Sequence, residues 1–278
     1  MRLVPFLLGL LLLVPSTARA TWSVIAVDLR TGRVVIASAT CVNRGDDFLK
    51  GVQAVVVPGK GVAACQAAVD GTHANQMLVF TELQKGTDPA RIIEMLAQDP
   101  AFQSRQFGIL DLSGRSAGHS GLGNGYVSQD VQGRVPGTDI YYSIQGNILR
   151  PGEVVPNAVA AFLASTGSLT DRVMAALEAA DAAGGDSRCT CPQPPADGTP
   201  RAIPCDGKTS HVAYILMAER GDTNGSSHND GRYAMYITVS QPESGEPNAI
   251  RAGENLNPVK TLRMRYDAWR RTQPPSFR

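Results

Sequence analysis

Runs of β-branched residues separated by short turn signals dominate the first quarter of this chain. They restrict it to folds built on antiparallel sheet. Residues 24–29 and 34–40 flank Thr31-Gly32 and read as a hairpin. Residues 52–57 and 62–69 repeat the pattern around Pro58-Gly59-Lys60-Gly61. Four strands met in sequence predict an antiparallel sheet. The period then changes. Met77, Leu78, Leu83, Ile92, Ile93, Met95 and Leu96 recur at helical spacing, and Thr87-Asp88-Pro89 is a helix start. Residues 107–112 and 116–119 form another hairpin across Ser113-Gly114, and residues 140–144 a further strand. Two Ala- and Leu-rich helices follow, 154–163 and 169–183, the second closed by Gly184-Gly185. Residues 211–218 and 234–239 read as late strands, and 258–271 as a last helix. Strands and helices in blocks indicate α+β layering. A doubly wound parallel sheet needs β-α alternation, which this order lacks.

Residues 1–20 read as a secretory signal peptide. Arg2 gives a positive start, residues 6–14 are apolar, and Ala18-Arg19-Ala20 supplies the small residues of a cleavage site. The apolar run falls short of the about 20 residues a spanning helix needs. The processed chain is therefore expected without a membrane span, secreted or periplasmic, as one domain over residues 21–278. Losing Arg2 and Arg19 takes the side-chain charge from +1 to −1. That balance offers no case for nucleic acid or an anionic membrane surface. Arg263, Arg265, Arg270 and Arg271 are expected on a solvated helix face.

Cleavage after Ala20 makes Thr21 the first residue. It then carries a hydroxyl and a free α-amine, and the amine is a natural base for the hydroxyl. An α-amine has an ordinary pKa of about 7.7–8.0, so part of it is neutral near pH 7.

Cys41, Cys65, Cys189, Cys191 and Cys205 remain. Export favours disulfides, and the odd number leaves a thiol over. Cys41 and Cys65 are expected to bridge only if their two strands pair. Cys189 or Cys191 is expected to pair with Cys205 across a Pro-rich loop. A zinc reading lacks a His at finger-like spacing.

No P-loop or H-E-x-x-H is present, and the G-x-S-x-G spacing of Gly114-Arg115-Ser116-Ala117-Gly118 falls in the 107–119 hairpin and not in a strand-to-helix elbow. Gly121-Leu122-Gly123-Asn124-Gly125 lacks the strand-then-helix setting of a dinucleotide turn and reads as a flexible loop. Asp222, Asn224, Ser226, His228 and Asp230 alternate like a calcium loop, but Tyr233 stands where the bidentate Glu belongs. A hairpin loop is the better reading. No metal or organic cofactor is implied. Gln145-Gly146-Asn147 ends a strand, and an Asn amide beside a backbone N–H suits an oxyanion. Asn147 also fits a plain turn residue.

Thr21-Trp22-Ser23-Val24-Ile25-Ala26-Val27-Asp28 resembles the opening of the bacterial family called domain of unknown function 1028, whose members usually begin Thr-Phe-Ser-Ile. Arg105-Gln106-Phe107-Gly108-Ile109-Leu110-Asp111, Gln145-Gly146-Asn147-Ile148-Leu149 and Ala183-Gly184-Gly185-Asp186-Ser187-Arg188 match it in order. The resemblance implies an N-terminal-nucleophile hydrolase-like fold. That is a four-layer αββα sandwich, two antiparallel sheets between helices. It also implies a Thr nucleophile acting on an amide or peptide-like bond. Two departures stand out. A Cys- and Pro-rich insertion occupies residues 189–208. The family's usual Thr-Gln appears as Cys65-Gln66.

The reading is a secreted hydrolase acting on a small-molecule or peptide substrate. Thr21 is the nucleophile, Asn147 an oxyanion donor, and Asp28 or Asp186 orients the amine or a substrate ammonium. The rival is a non-catalytic exported binding protein on the same fold, since the sequence places no Lys or Arg visibly beside the amine.

Overall fold

The computed structural model describes residues 21–42, 44–45, 47–125, 127–189 and 208–274. Residues 1–20, expected to be a signal peptide, Cys191, Cys205 and most of the Cys- and Pro-rich insertion lie outside the described residues. Within them the chain is α+β, with six α-helices and two antiparallel sheets.

β1 (Thr21–Asp28) and β2 (Arg33–Thr40) form the expected hairpin. Its turn is tied by Asp28, whose carboxylate accepts from Arg30 N at 2.9 Å and Thr31 Oγ1 at 2.8 Å. Gly32 there holds a φ of +74°, a conformation that glycine adopts without strain. α1 (Phe48–Gln53) leads into β3 (Ala54–Val57), which pairs with β4 (Gly61–Ala67). The strand expected over 52–57 is thus shorter, because its first residues close a helix.

The four strands do not share one sheet. β1 and β2 lie in a six-stranded sheet of order β10-β9-β2-β1-β8-β7, and β3 and β4 in a four-stranded one of order β3-β4-β5-β6. β5 (Arg105–Asp111) and β6 (Ser116–Ser120) complete the smaller sheet. β7 (Ser128–Arg134), β8 (Ile140–Asn147), β9 (Val212–Ala218) and β10 (Met235–Ser240) complete the larger.

Strand alternation explains the stacking. Ile25 and Val27 of β1 turn to the smaller sheet, meeting Val62, Ala64 and Leu110. Trp22, Val24 and Ala26 turn outward into a core shared with α4 (Val154–Ala164), α5 (Leu169–Ala182) and α6 (Pro258–Thr272). Across the molecule, Phe107 and Ile109 of β5 pack on α2 (Ala74–Lys85) and α3 (Pro89–Leu96). Each large apolar side chain so buried contributes about 1.5–3 kcal/mol. Caps set the helix starts: Asp88 accepts from Ala90 N, and Ser168 and Asp171 form a capping box.

Of the α6 arginines expected on a solvated face, Arg271 is exposed, but the other three are not. Arg263 pairs with Glu178 at 2.5 Å, Arg265 with Glu254 at 2.6 Å and Arg270 with Asp171 at 2.9 Å, tying the helix to its neighbours. The 222–230 stretch is the β9–β10 connection, and its carboxylates are taken by backbone N–H groups. The Gly121 loop packs tightly on the Gln103 backbone, where a Cβ has no room.

Candidate active site

Thr21 begins β1 in the middle of the larger sheet. It stands opposite Thr40 on one side and Asn147 on the other. Register alone therefore brings two hydroxyls and an amide together. Thr21 is only 4 % exposed, and its Oγ1 donates to Thr40 Oγ1 at 3.3 Å. Odd positions of β1 face the space between the sheets, so Thr21 and Ser23 point there.

That space is apolar at one end and polar at the other. Behind Thr21 sits a buried layer of amides and hydroxyls. Gln66 Nε2 donates to the Thr21 carbonyl at 3.2 Å and to Gln106 Oε1 at 2.7 Å. Gln66 Oε1 accepts from Ser23 Oγ and Gln53 Nε2, both at 2.7 Å. Gln106 Nε2 reaches Ser120 Oγ at 2.8 Å and the Gly146 carbonyl at 3.0 Å. Tyr214 O–H donates to Gln53 Oε1 at 2.8 Å, and burial pushes its phenol well above the ordinary value. The layer is uncharged, which spares it the desolvation of an ion.

Asp186 is fully buried beside the end of β2. It accepts from Cys41 N at 2.8 Å and holds Arg188 through Nε at 3.0 Å and Nη2 at 2.6 Å. Arg188 Nη2 also donates to Thr40 Oγ1 at 3.4 Å. Asp186 is thus near Thr21 but engaged with Arg188 and the β2 backbone. A cation stands two hydrogen bonds from the Thr21 hydroxyl, which the sequence did not disclose. Asp28 is not brought to the site. It lies at the other end of β1, seven residues and roughly 23 Å away, bonded within its own turn.

The partner of Cys41 differs from expectation, while the expected Cys191–Cys205 alternative lies outside the described residues. Cys41 is bridged to Cys189. Cys65 is a free, buried thiol, pushed up by burial first and by Asp70 second, with Arg105 opposing. A Cys41–Cys65 bridge fails because β2 and β4 lie in different sheets. Cys189 is unavailable to Cys205 because the Asp186–Cys189 turn is drawn onto the end of β2. The bridge locks Arg188 between two fixed points.

A cleft of about 20 Å³ opens at Thr21, lined also by Thr40, Gln53, Cys65 and Gln66. It has room for about one water. Ala67 and Ile148, the neighbours of Gln66 and Asn147, adopt φ of +74° and +48°. Such backbone is costly for a β-branched residue and gathers at functional sites.

Thr40, Gln53, Gln106 and Arg188 escaped the reading of site residues. Gln66, Gln106 and Arg188 lie in stretches that bear on the family resemblance, so their place in a shared pattern was the available signal. Thr40 is flagged by nothing before the register of β1 and β2 is known.

The family model "Family of unknown function (DUF1028)" matches residues 21–193. The chain belongs to the DUF1028 family. No functionally curated protein matches it by sequence. The crystal structure of protein SPO2555 from Silicibacter pomeroyi, described by the DUF1028 family model, is similar to it. The TM-score is 0.61 and the identity 22 %, over 92 % of this chain and 88 % of that one. At that identity the likeness speaks to the fold. The stretches that carry the DUF1028 resemblance supply Thr21, Gln106, Asn147, Asp186 and Arg188, all in this one region except the far end of β1. No helix among the described residues is long and apolar enough to cross a membrane.

Proposed function

We propose that this chain is an exported N-terminal-nucleophile hydrolase of amide or peptide-like bonds, built on an αββα sandwich. It becomes active when removal of residues 1–20 leaves Thr21 first. One observation carries the reading: the register that sets Thr21 between Asn147 and Thr40 at the mouth of the cleft between the sheets. The Cys41–Cys189 disulfide supports export to an oxidising compartment.

Thr21 Oγ attacks the carbonyl carbon while its proton passes to the Thr21 α-amine. Asn147 donates to the oxyanion. Collapse breaks the C–N bond, and the ammonium returns the proton to the leaving amine. Water, activated by the same amine, then cleaves the Thr21 ester and releases the acid. Arg188 holds Thr40 facing the nucleophile, and Asp186 holds Arg188. Asp28 has no part. Gln66 fixes the Thr21 carbonyl, so hydroxyl and amine keep one orientation.

The test is labelling with a β-lactone. The mature chain should acylate at Thr21, Thr21→Ser more slowly, and Thr21→Ala not at all. The unprocessed chain, whose Thr21 nitrogen is an amide, should stay inert. Equal labelling of both forms, or a mature N-terminus other than Thr21 by mass spectrometry, sinks the reading. The burial of Thr21 favours a second reading, a non-catalytic binding module on the same fold, which predicts no labelling at all.

A further inference from the structure

The cleft at Thr21 is far smaller than the about 300–1,000 Å³ of an ordinary ligand site. A substrate therefore needs one wall to move. α1 is built to be that wall. It has six residues, no side-chain cap from Asp47, and Gly51 in its middle. Helices this short are marginal without tertiary support, and an internal glycine weakens them further.

Its support comes from outside. Phe48, Leu49, Val52 and Gln53 form one face and turn to the cleft. The other face is held by its backbone carbonyls. His228 Nε2 bonds Gly51 O at 2.8 Å, and Asn229 Nδ2 donates to Lys50 O at 2.9 Å and Ala54 O at 3.0 Å. From α2, Gln76 Nε2 donates to Val52 O at 2.7 Å. The His228 carbonyl is itself fixed by Val56 N at 2.8 Å. At the far end Gln53 is pinned to Gln66 and Tyr214, where the helix gives way to β3. One end is anchored, the middle is latched, and the start lacks a side-chain cap, its Asp47 carboxylate accepting instead from Tyr236 O–H at 2.8 Å.

The lining is uncharged. Val42, Phe48, Leu49, Val52 and Val69 surround Thr21 together with the Cys65 thiol. A charged group entering among these side chains would lose its water without gaining a charged partner in the lining, and Arg188, behind Thr40, is already paired with Asp186 at 2.6 Å.

We propose that α1 is the lid of an acyl-group pocket at Thr21, pivoting at Gln53, latched by His228 and Asn229, and admitting an uncharged apolar acyl side chain. This rests on the Thr21 reading for its chemistry, while the motion stands apart from it. The experiment combines hydrogen exchange with labelling by two β-lactones, one bearing an isobutyl and one a carboxymethyl group. Asn229→Ala removes the latch bonds and should speed exchange of the α1 amides about tenfold, leaving β1 and β2 unchanged. Isobutyl-lactone labelling should rise by a similar factor. The carboxymethyl lactone should remain at least about tenfold slower in both chains. Gln76→Leu frees the Val52 carbonyl from the other side and serves if Asn229→Ala fails to fold.

An α1 that exchanges as slowly as β1 in wild type and variants overturns the lid. Equal labelling by the two lactones overturns the apolar pocket. Exchange in the Thr21→Ala chain separates the two readings. If α1 responds there to Asn229→Ala but wild type is never labelled, the lid stands and the Thr21 chemistry falls. Labelling without any response of α1 keeps the Thr21 chemistry and removes the lid.

Discussion

At the scale of single residues, the site depends on what stands beside Thr21. Asn147 owes its place to the β1–β8 register. Asn147→Ala is expected to lower kcat by about 10²–10³ with KM little changed, the usual cost of one oxyanion donor. An unchanged kcat returns Asn147 to the role of a turn residue. His228 makes a different prediction. Burial holds its imidazole below the ordinary value; the Gly51 carbonyl opposes this, the stacked His73 ring adds to it, and Asp230 opposes. The unfolded chain thus binds a proton at pH values where the fold does not. The stability from neutral His228 is complete above about pH 6.5 and is lost as pH falls through that value toward the lower folded pKa. Thermal unfolding from about pH 7 to about pH 5 should show a falling Tm in wild type and a flatter profile in His228→Gln. Parallel profiles would remove His228 as the cause.

Among the elements, the segment Gly184–Cys189 matters most. It begins where α5 ends in two glycines of positive φ. Gly185 is needed because a Cβ would sit 2.6 Å from the Trp22 ring. Asp186 then ties the segment to β2 and the disulfide locks it. Cys41→Ala is expected to cost about 2–5 kcal/mol, read as a lowered urea midpoint. Because Gly185 rests on Trp22, reduction should also change the Trp22 fluorescence. Non-reducing peptide mapping should recover Cys41 joined to Cys189; a Cys41–Cys65 peptide would contradict the strand order. β7 shows an element that sequence reading misses. Ser128–Arg134 holds one valine among polar residues, as an edge strand can, because backbone pairing to β8 replaces side-chain burial.

Across the whole molecule, the two sheets meet through an apolar core at one end and a layer of Gln and Ser at the other. The polar layer surrounds the Thr21 end, so stability and site are coupled there. Gln106→Leu would leave Gln66 Nε2 and the Gly146 carbonyl without their present partner in a buried place. It should destabilise by about 2–6 kcal/mol, at about 1–3 for each of the two unmet polar groups, measured by urea unfolding. A loss below about 0.5 kcal/mol would mean that water or a rearranged Gln66 takes its place. By itself the sequence determined most elements and the Thr21–Asn147 pair of candidates, because hydrophobic period, caps and turn residues are local properties of the chain. It determined that Asp88 starts a helix and that Gly32 turns a hairpin. Only the tertiary structure decided that the first two hairpins belong to different sheets. The same long-range pairing carried Asp28 away from Thr21, brought Arg188 to Thr40, and joined Cys41 to Cys189 instead of Cys65. Strand partners are chosen by contacts far apart in the chain, and a strand buried on both faces, as β1 is, carries no local mark of which neighbour it will take.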